Sequence, residues 1–270
     1  MRAFGRWYDV AAGDLARREA DVSVDGMGSQ LPLWSEQDAS WSVRESQRAR
    51  RMVVRVFHTG RVEVVVPART PPRLIEGFLE RHRLWIERKR AEARRTAAPP
   101  EPFPPISIEL PACAERWRVH LAGGAGRMRL HADGGLLTLR GDGGNPVALR
   151  QALRRWLVAR ARAVLAPALD DCARELGFRY QRMIIRCQRT RWGSCSARGT
   201  ISLNGCLLFL PPSVVRYLMI HELSHTRHLN HSERFWQCVA RCCPEYRRLD
   251  RALLGGWRRV PAWVFGEGPV

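Results

Sequence analysis

The stretch SVVRYLMIHELSHTRHLNHSERFW, residues 213–236, restricts the fold more than any other part of the chain. His221 and His225 stand four residues apart at the end of an apolar run, so a helix places both imidazoles on one face, a turn apart. Two imidazoles so placed suit a single cation. Glu222 lies about 100° further round the helix than His221, beside such a cation rather than on it. That is the position of a base for water activated by a metal, since zinc lowers the ionisation of water to about pH 7.

A site that keeps one position open for water needs a third protein ligand. His228 is on nearly the same face, but in a continuing helix it is roughly 10 Å along the axis from His221. Zinc–nitrogen bonds of about 2.0–2.1 Å do not span that gap. His231 reaches the cation if the helix ends first. Asn230 tolerates the left-handed conformation and is the expected turning point. A new helix then starts at Ser232, carries Phe235, Trp236 and Val239 into the core and ends before Pro244. Glu233 and Glu245 are the lesser candidates for the third ligand. Tyr217, Tyr246 and Arg227 are candidates for stabilising an oxyanion.

Upstream, RMVVRVFHTGRVEVVVPA at 51–68 alternates and then runs in β-branched residues around a turn at 58–60, a hairpin pattern. RLIEGFLERHRLWIERKRAEARR at 73–95 has the spacing of one amphipathic helix. AAPPEPFPP at 97–105 suits neither helix nor central strand and predicts an extended connector. Four β-prone pieces, around 106–110, 116–121, 127–131 and 136–140, predict a small antiparallel sheet. A long helix follows from Val147, with Pro167 as a kink or restart and Gly177 as its stop. Two β-prone runs flank Ser196–Gly199, a second hairpin, and Ser213 is the expected N-cap of the His221 helix. Residues 1–41 mix charge, Gly and Ser without periodicity and are expected to form a poorly ordered leader.

The formal net charge of +19 points towards polyanions, but all basic residues except Lys89 are arginine and they are spread along the chain. Compositional bias explains that pattern as well as nucleic-acid binding does. The eight cysteines form no CxxC pair and predict reduced thiols. No segment approaches the roughly 20 apolar residues of a membrane span, and none resembles a signal peptide. The expected location is the cytoplasm, with no membrane partner.

RWGSCSARGTISLN at 191–204, LPPSVVRYLMIHELSH at 210–225, NHSERFW at 230–236 and SQRARRMVVRVFHTGRVEVVVP at 46–67 together resemble the YgjP-like family of predicted zinc metallopeptidases, related to SprT-like domains. The resemblance implies a zincin-like α+β domain over 42–254, with the Pro-rich stretch as an internal loop. Its metal-binding core would lie at 182–246, and a C-terminal tail at 255–270 falls outside it. The N-terminal part would be β-rich and the C-terminal part helical. It further implies Zn2+ on His221, His225 and His231, with Glu222 catalytic. The spacing from His225 to His231 equals that of metzincins, but His228 stands where those have glycine, which argues against that class.

In RWGSCS, Trp192, Ile201 and Leu203 are expected in the core, with Gly193 permitting close packing, and the strand at 194–204 near a substrate cleft. The leading functional expectation is a zinc-dependent peptidase acting on peptide or protein substrates. Arg189 and Arg191 raise the alternative of a metal-dependent nucleotide or phosphoanhydride hydrolase. The SprT-like kinship and the charge raise a third, a protease acting on DNA-bound proteins.

Overall fold

The computed structural model describes residues 10–11, 41–47, 49–57, 60–96 and 102–266. These divide into two compact units on either side of the Pro-rich stretch. Of the leader, only residues 10–11 and 41 are described, so the expectation for the remainder lies outside the described residues.

The first unit holds β1 (Val10–Ala11), β2 (Trp41–Ser46), β3 (Val53–Val56) and β4 (Val62–Pro67), followed by helices α1 (Pro72–Arg81) and α2 (Arg83–Thr96). β3 and β4 form the expected antiparallel hairpin, while β2 pairs with β4 in parallel. Residues 58 and 59 of the turn lie outside the described residues; Gly60, at φ +80°, supplies the left-handed position. Val54, Val56, Val62, Val64 and Val66 bury one face of the sheet together with Phe78, Leu79 and Ile86. The single helix expected over 73–95 is broken at His82 (φ −105°, ψ 5°). The imidazole Nδ1 donates to the Phe78 carbonyl at 2.7 Å, the acceptor that the helical N–H of residue 82 would use. That N–H turns to Leu79 O instead, and α2 restarts from the His82 carbonyl.

The second unit begins with β5 (Ser107–Leu110), β6 (Glu115–Gly123), β7 (Arg129–Asp133) and β8 (Leu136–Arg140), in the order β5-β6-β8-β7. Two of the three pairings are antiparallel as expected, but β6 runs parallel to β8. The two-residue turn between β7 and β8 needs positive φ at both positions, which Gly134 and Gly135 provide. Helix α3 (Pro146–Glu175) then runs unbroken through Pro167. Asn145 caps its start by accepting the Ala148 N–H at 3.0 Å. Its end is a Schellman motif: Phe178 N–H reaches Ala173 O, Gly177 N–H reaches Arg174 O, and Gly177 sits at φ +68°. The buried stripe Leu149, Leu153, Leu157, Ala161, Leu165 and Leu169 faces the core.

A second sheet holds β9 (Arg182–Arg186), β10 (Gly193–Cys195) and β11 (Thr200–Asn204), in the order β10-β11-β9. β10 and β11 form the expected hairpin, and β11 is parallel to β9, so β10 is an edge. Trp192, Ile201 and Leu203 are buried, as expected. Helix α4 (Pro212–Ser224) starts two residues earlier than a Ser213 cap allows: Pro211 is the N-cap and Pro212 the first helical residue. Proline at that position brings a helical φ and lacks an N–H the helix would leave unpaired anyway. α5 (Glu233–Cys242) and α6 (Tyr246–Gly255) complete the helices.

Residues 256–264, set apart on sequence as part of a tail, pack against this unit. Trp257, Val260, Trp263 and Val264 are all buried, and the Trp257 ring stacks on Trp192 at 3.9 Å and 24°. Trp257→Ala is therefore expected to lower the unfolding free energy by about 3–5 kcal/mol, read as a lower urea midpoint at unchanged slope. A loss below about 1 kcal/mol would contradict this docking. Among the described residues, no helix is long and apolar enough to cross a membrane.

Candidate metal centre

The last turn of α4 and its C-cap carry His221, Glu222 and His225, which are 0%, 2% and 9% exposed. Burial of three such groups at a helix end needs a local cause for the chain to leave the helix there. Ser224 Oγ donates to Ile220 O and Thr226 Oγ1 to Leu223 O, both at 2.7 Å. The N–H groups of Arg227 and His228 both turn back to Ser224 O, closing the helix in a tightened turn. The chain thus turns at 225–228, earlier than the expected Asn230. Among the described residues only Arg69 and Ala114 are non-glycine residues with positive φ, so Asn230 does not use the left-handed conformation.

The turn brings His231 back. Its Nε2 lies 3.2 Å from His221 Nε2, which lies 3.2 Å from His225 Nε2. The three candidate donor atoms fall within 4.8 Å of one another. Tetrahedral ligation with bonds of about 2.0–2.1 Å places neighbouring donors about 3.3–3.4 Å apart, so the nitrogen spacing fits one small cation.

The tautomer of His225 follows from its surroundings. Nδ1 donates to the His228 carbonyl at 3.0 Å, which leaves the Nε2 lone pair facing the cluster. His228 thus contributes its backbone to the site. Phe235, from the first turn of α5, walls the cluster with ring centroids 4.8, 4.5 and 4.8 Å from His221, His225 and His231. Trp236 stands 5.8 Å from both His221 and His231 and is only partly buried, short of the full burial expected for it.

Burial, with neighbouring histidines adding to it, holds the His221 imidazole well below its ordinary range. Burial also lowers His225, and it brings His231 down to about 4, helped by His225. All three are then neutral at pH 7 and keep their lone pairs. Protons compete with a metal only where a ligand titrates, so on acidification below pH 7 loading should fall off later than it would for ordinary histidines at about 6.5. A tenfold loss of affinity between pH 7 and 6 in a competition titration would contradict this.

The Glu222 carboxyl is pushed up to about 8 by burial, against an opposing pull from the exposed Arg191. It faces β10 at Gly193, where an added Cβ would stand 2.5 Å from Glu222 Oε1. Cys195, on the same strand, is raised to about 11 by burial and by Glu222.

Other candidates are engaged elsewhere. Glu233 accepts from Gln237 and Glu245 from Arg248, both exposed and neither in the cluster. Tyr217 is buried and donates its hydroxyl to Asp250 at 2.8 Å. Arg227 donates to Gly177 O at 2.6 Å and lies over the Phe178 ring. Arg189 is bonded to the carbonyls of Phe265 and Gly266. Tyr246 is stacked on Trp236 at 5.4 Å, and the ring of Tyr217 stands 6.1 Å from that of His221. The Phe235 wall was legible on sequence only as core, and the Gly193–Glu222 contact only as a glycine that permits close packing.

Residues 50–254 match the YgjP-like metallopeptidase domain. The chain belongs to the YgjP-like metallopeptidase family. It is accordingly a hydrolase of metallopeptidase type, and the His221–His225–His231 cluster lies inside the matched region. Part of this YgjP-like chain, 32% of its length, covers 90% of the crystal structure of the metallopeptidase zymogen of Pyrococcus abyssi abylysin, at 29% identity and a TM-score of 0.30. No curated protein matches the YgjP-like chain.

Proposed function

We propose that this protein is a zinc-dependent peptidase in which His221, His225 and His231 hold the ion and Glu222 is the general base and acid. The observation that carries the reading is the convergence of three neutral imidazole nitrogens, 3.2 Å apart in two pairs, beside a fully buried carboxylate. Three neutral nitrogen donors suit zinc better than magnesium or calcium, which take oxygen ligands. Bound zinc supplies Lewis acidity, bringing the ionisation of water down to about pH 7 and polarising a carbonyl oxygen.

Glu222 takes the proton from the attacking water and delivers it to the leaving amine nitrogen. A group that must do both works best with a pKa near the working pH; burial raises that of Glu222, and a bound dication beside it would favour the ionised form that accepts from water. Phe235 and the buried flank of α4 keep bulk water from the inner side of the site. The edge strand β10, packed against Glu222 through Gly193, has one side without a strand partner among the described residues, along which an extended substrate can add as a further strand. The eight cysteines are free thiols, which supports placing the enzyme in a reducing compartment, the cytoplasm.

The engagement of Arg189 with two backbone carbonyls removes one support from a nucleotide hydrolase. The net charge of +19 is compatible with a protease acting on DNA-bound proteins, whose signature is salt-sensitive DNA binding and DNA-stimulated cleavage. The deciding assay sets the zinc-loaded chain against a peptide library and a nucleotide panel side by side, with and without DNA. Peptide cleavage alone is the expected result; nucleotide hydrolysis without peptide cleavage would overturn the reading.

A further inference from the structure

Gly193 is buried in β10, yet its backbone does not require glycine. Its φ lies outside the left-handed range, unlike that of Gly199 at +72° in the adjoining turn. Space is what excludes a side chain. A Cβ at 193 would stand 2.5 Å from Glu222 Oε1 and 2.9 Å from both Cδ and Cγ.

Neither partner is free to retreat. Glu222 is buried in the last turn of α4, which leaves its carboxylate little room to swing aside. On the other side, the Trp192 ring is stacked on Trp257, and a Cβ at Gly256 would stand 3.1 Å from the Trp192 ring. The Trp192 carbonyl accepts the Asn204 N–H at 2.8 Å, and Asn204 Nδ2 donates to Arg191 O at 2.9 Å. These contacts fix the peptides on either side of Trp192 and hence the start of β10.

We infer that Gly193 is a positioning residue: the missing side chain sets where the Glu222 carboxylate lies, and the Trp192–Trp257 stack holds Gly193 against it. The inference rests on the assignment of Glu222 as general base. It also gives the segment after residue 254, outside the matched family domain, a part in the site.

The test is Gly193→Ala made alone and in a Glu222→Ala background. Alone, it should leave zinc affinity unchanged, because the histidines are held by helix and turn backbone that Gly193 does not touch. kcat should fall about 100-fold, the effect of misplacing a reacting group by about 1 Å, with KM within about twofold. The melting temperature should drop in the Glu222 protein and stay level in the Glu222→Ala background, where the obstructing atoms are gone. A Gly193→Ala chain that fails to fold alone but folds with Glu222→Ala supports the contact equally. An equal drop in both backgrounds, or an unchanged kcat, would overturn the inference. Should the native chain cleave no peptide, the function assigned to Glu222 fails, while the melting cycle still reports on the contact itself.

Discussion

Replacing Glu222 by Gln is expected to lower kcat for peptide cleavage by about 10²–10⁴-fold, the usual contribution of a positioned acid–base group, while the metal stays bound. Gln has nearly the same shape, so the space beside Gly193 stays filled, and it cannot accept a proton from water. The three nitrogen donors belong to other residues, so zinc content should not change. The substitution also removes a carboxylate that burial makes costly to ionise, which favours folding of the metal-free chain at neutral pH. Kinetics at saturating peptide, with metal analysis of the same sample, provide the check. Turnover within tenfold of the native chain would remove Glu222 from the mechanism.

His231→Ala is expected to cost about 10²–10³ in zinc affinity. Zinc held by four protein ligands contributes about 10–16 kcal/mol, so one ligand accounts for about 2.5–4 kcal/mol. His228→Ala is the matched control. Its ring is not part of the cluster, and the carbonyl that receives His225 Nδ1–H survives the substitution. Affinity should therefore change by less than about tenfold, the lower end of effects from residues that orient a ligand. Competition against a chromogenic chelator distinguishes the two. Equal losses would mean that His231 is no more a ligand than His228.

What was readable in the sequence follows the range of the interactions involved. The His221/His225 pair needs only helical spacing, and α4 supplies it. The return of His231 was also legible, but its turn was misplaced at Asn230. The cause is hydroxyl-to-carbonyl bonding by Ser224 and Thr226, to which periodicity is blind. Another side-chain-to-backbone bond, from the His82 imidazole N–H to Phe78 O, divided a helix whose apolar spacing looked continuous. Pairings such as β6 with β8 and β11 with β9 join strands from separate stretches of chain, and alternation does not report their direction. Gly193 was legible as a site of close approach, whereas its partner, on a helix about 30 residues away, was not. The aromatic stack of Trp192 on Trp257 is hidden for the same reason.

The central claim is that this chain cleaves peptides with a metal held by three histidines. Its most direct test is metal content and peptide cleavage of the purified chain, measured as isolated, after chelation and after zinc is restored. About one zinc per chain is expected, as for a site of three protein ligands and one open position, with cleavage lost on chelation and recovered with zinc. Undiminished cleavage by a chain stripped of metal would contradict it.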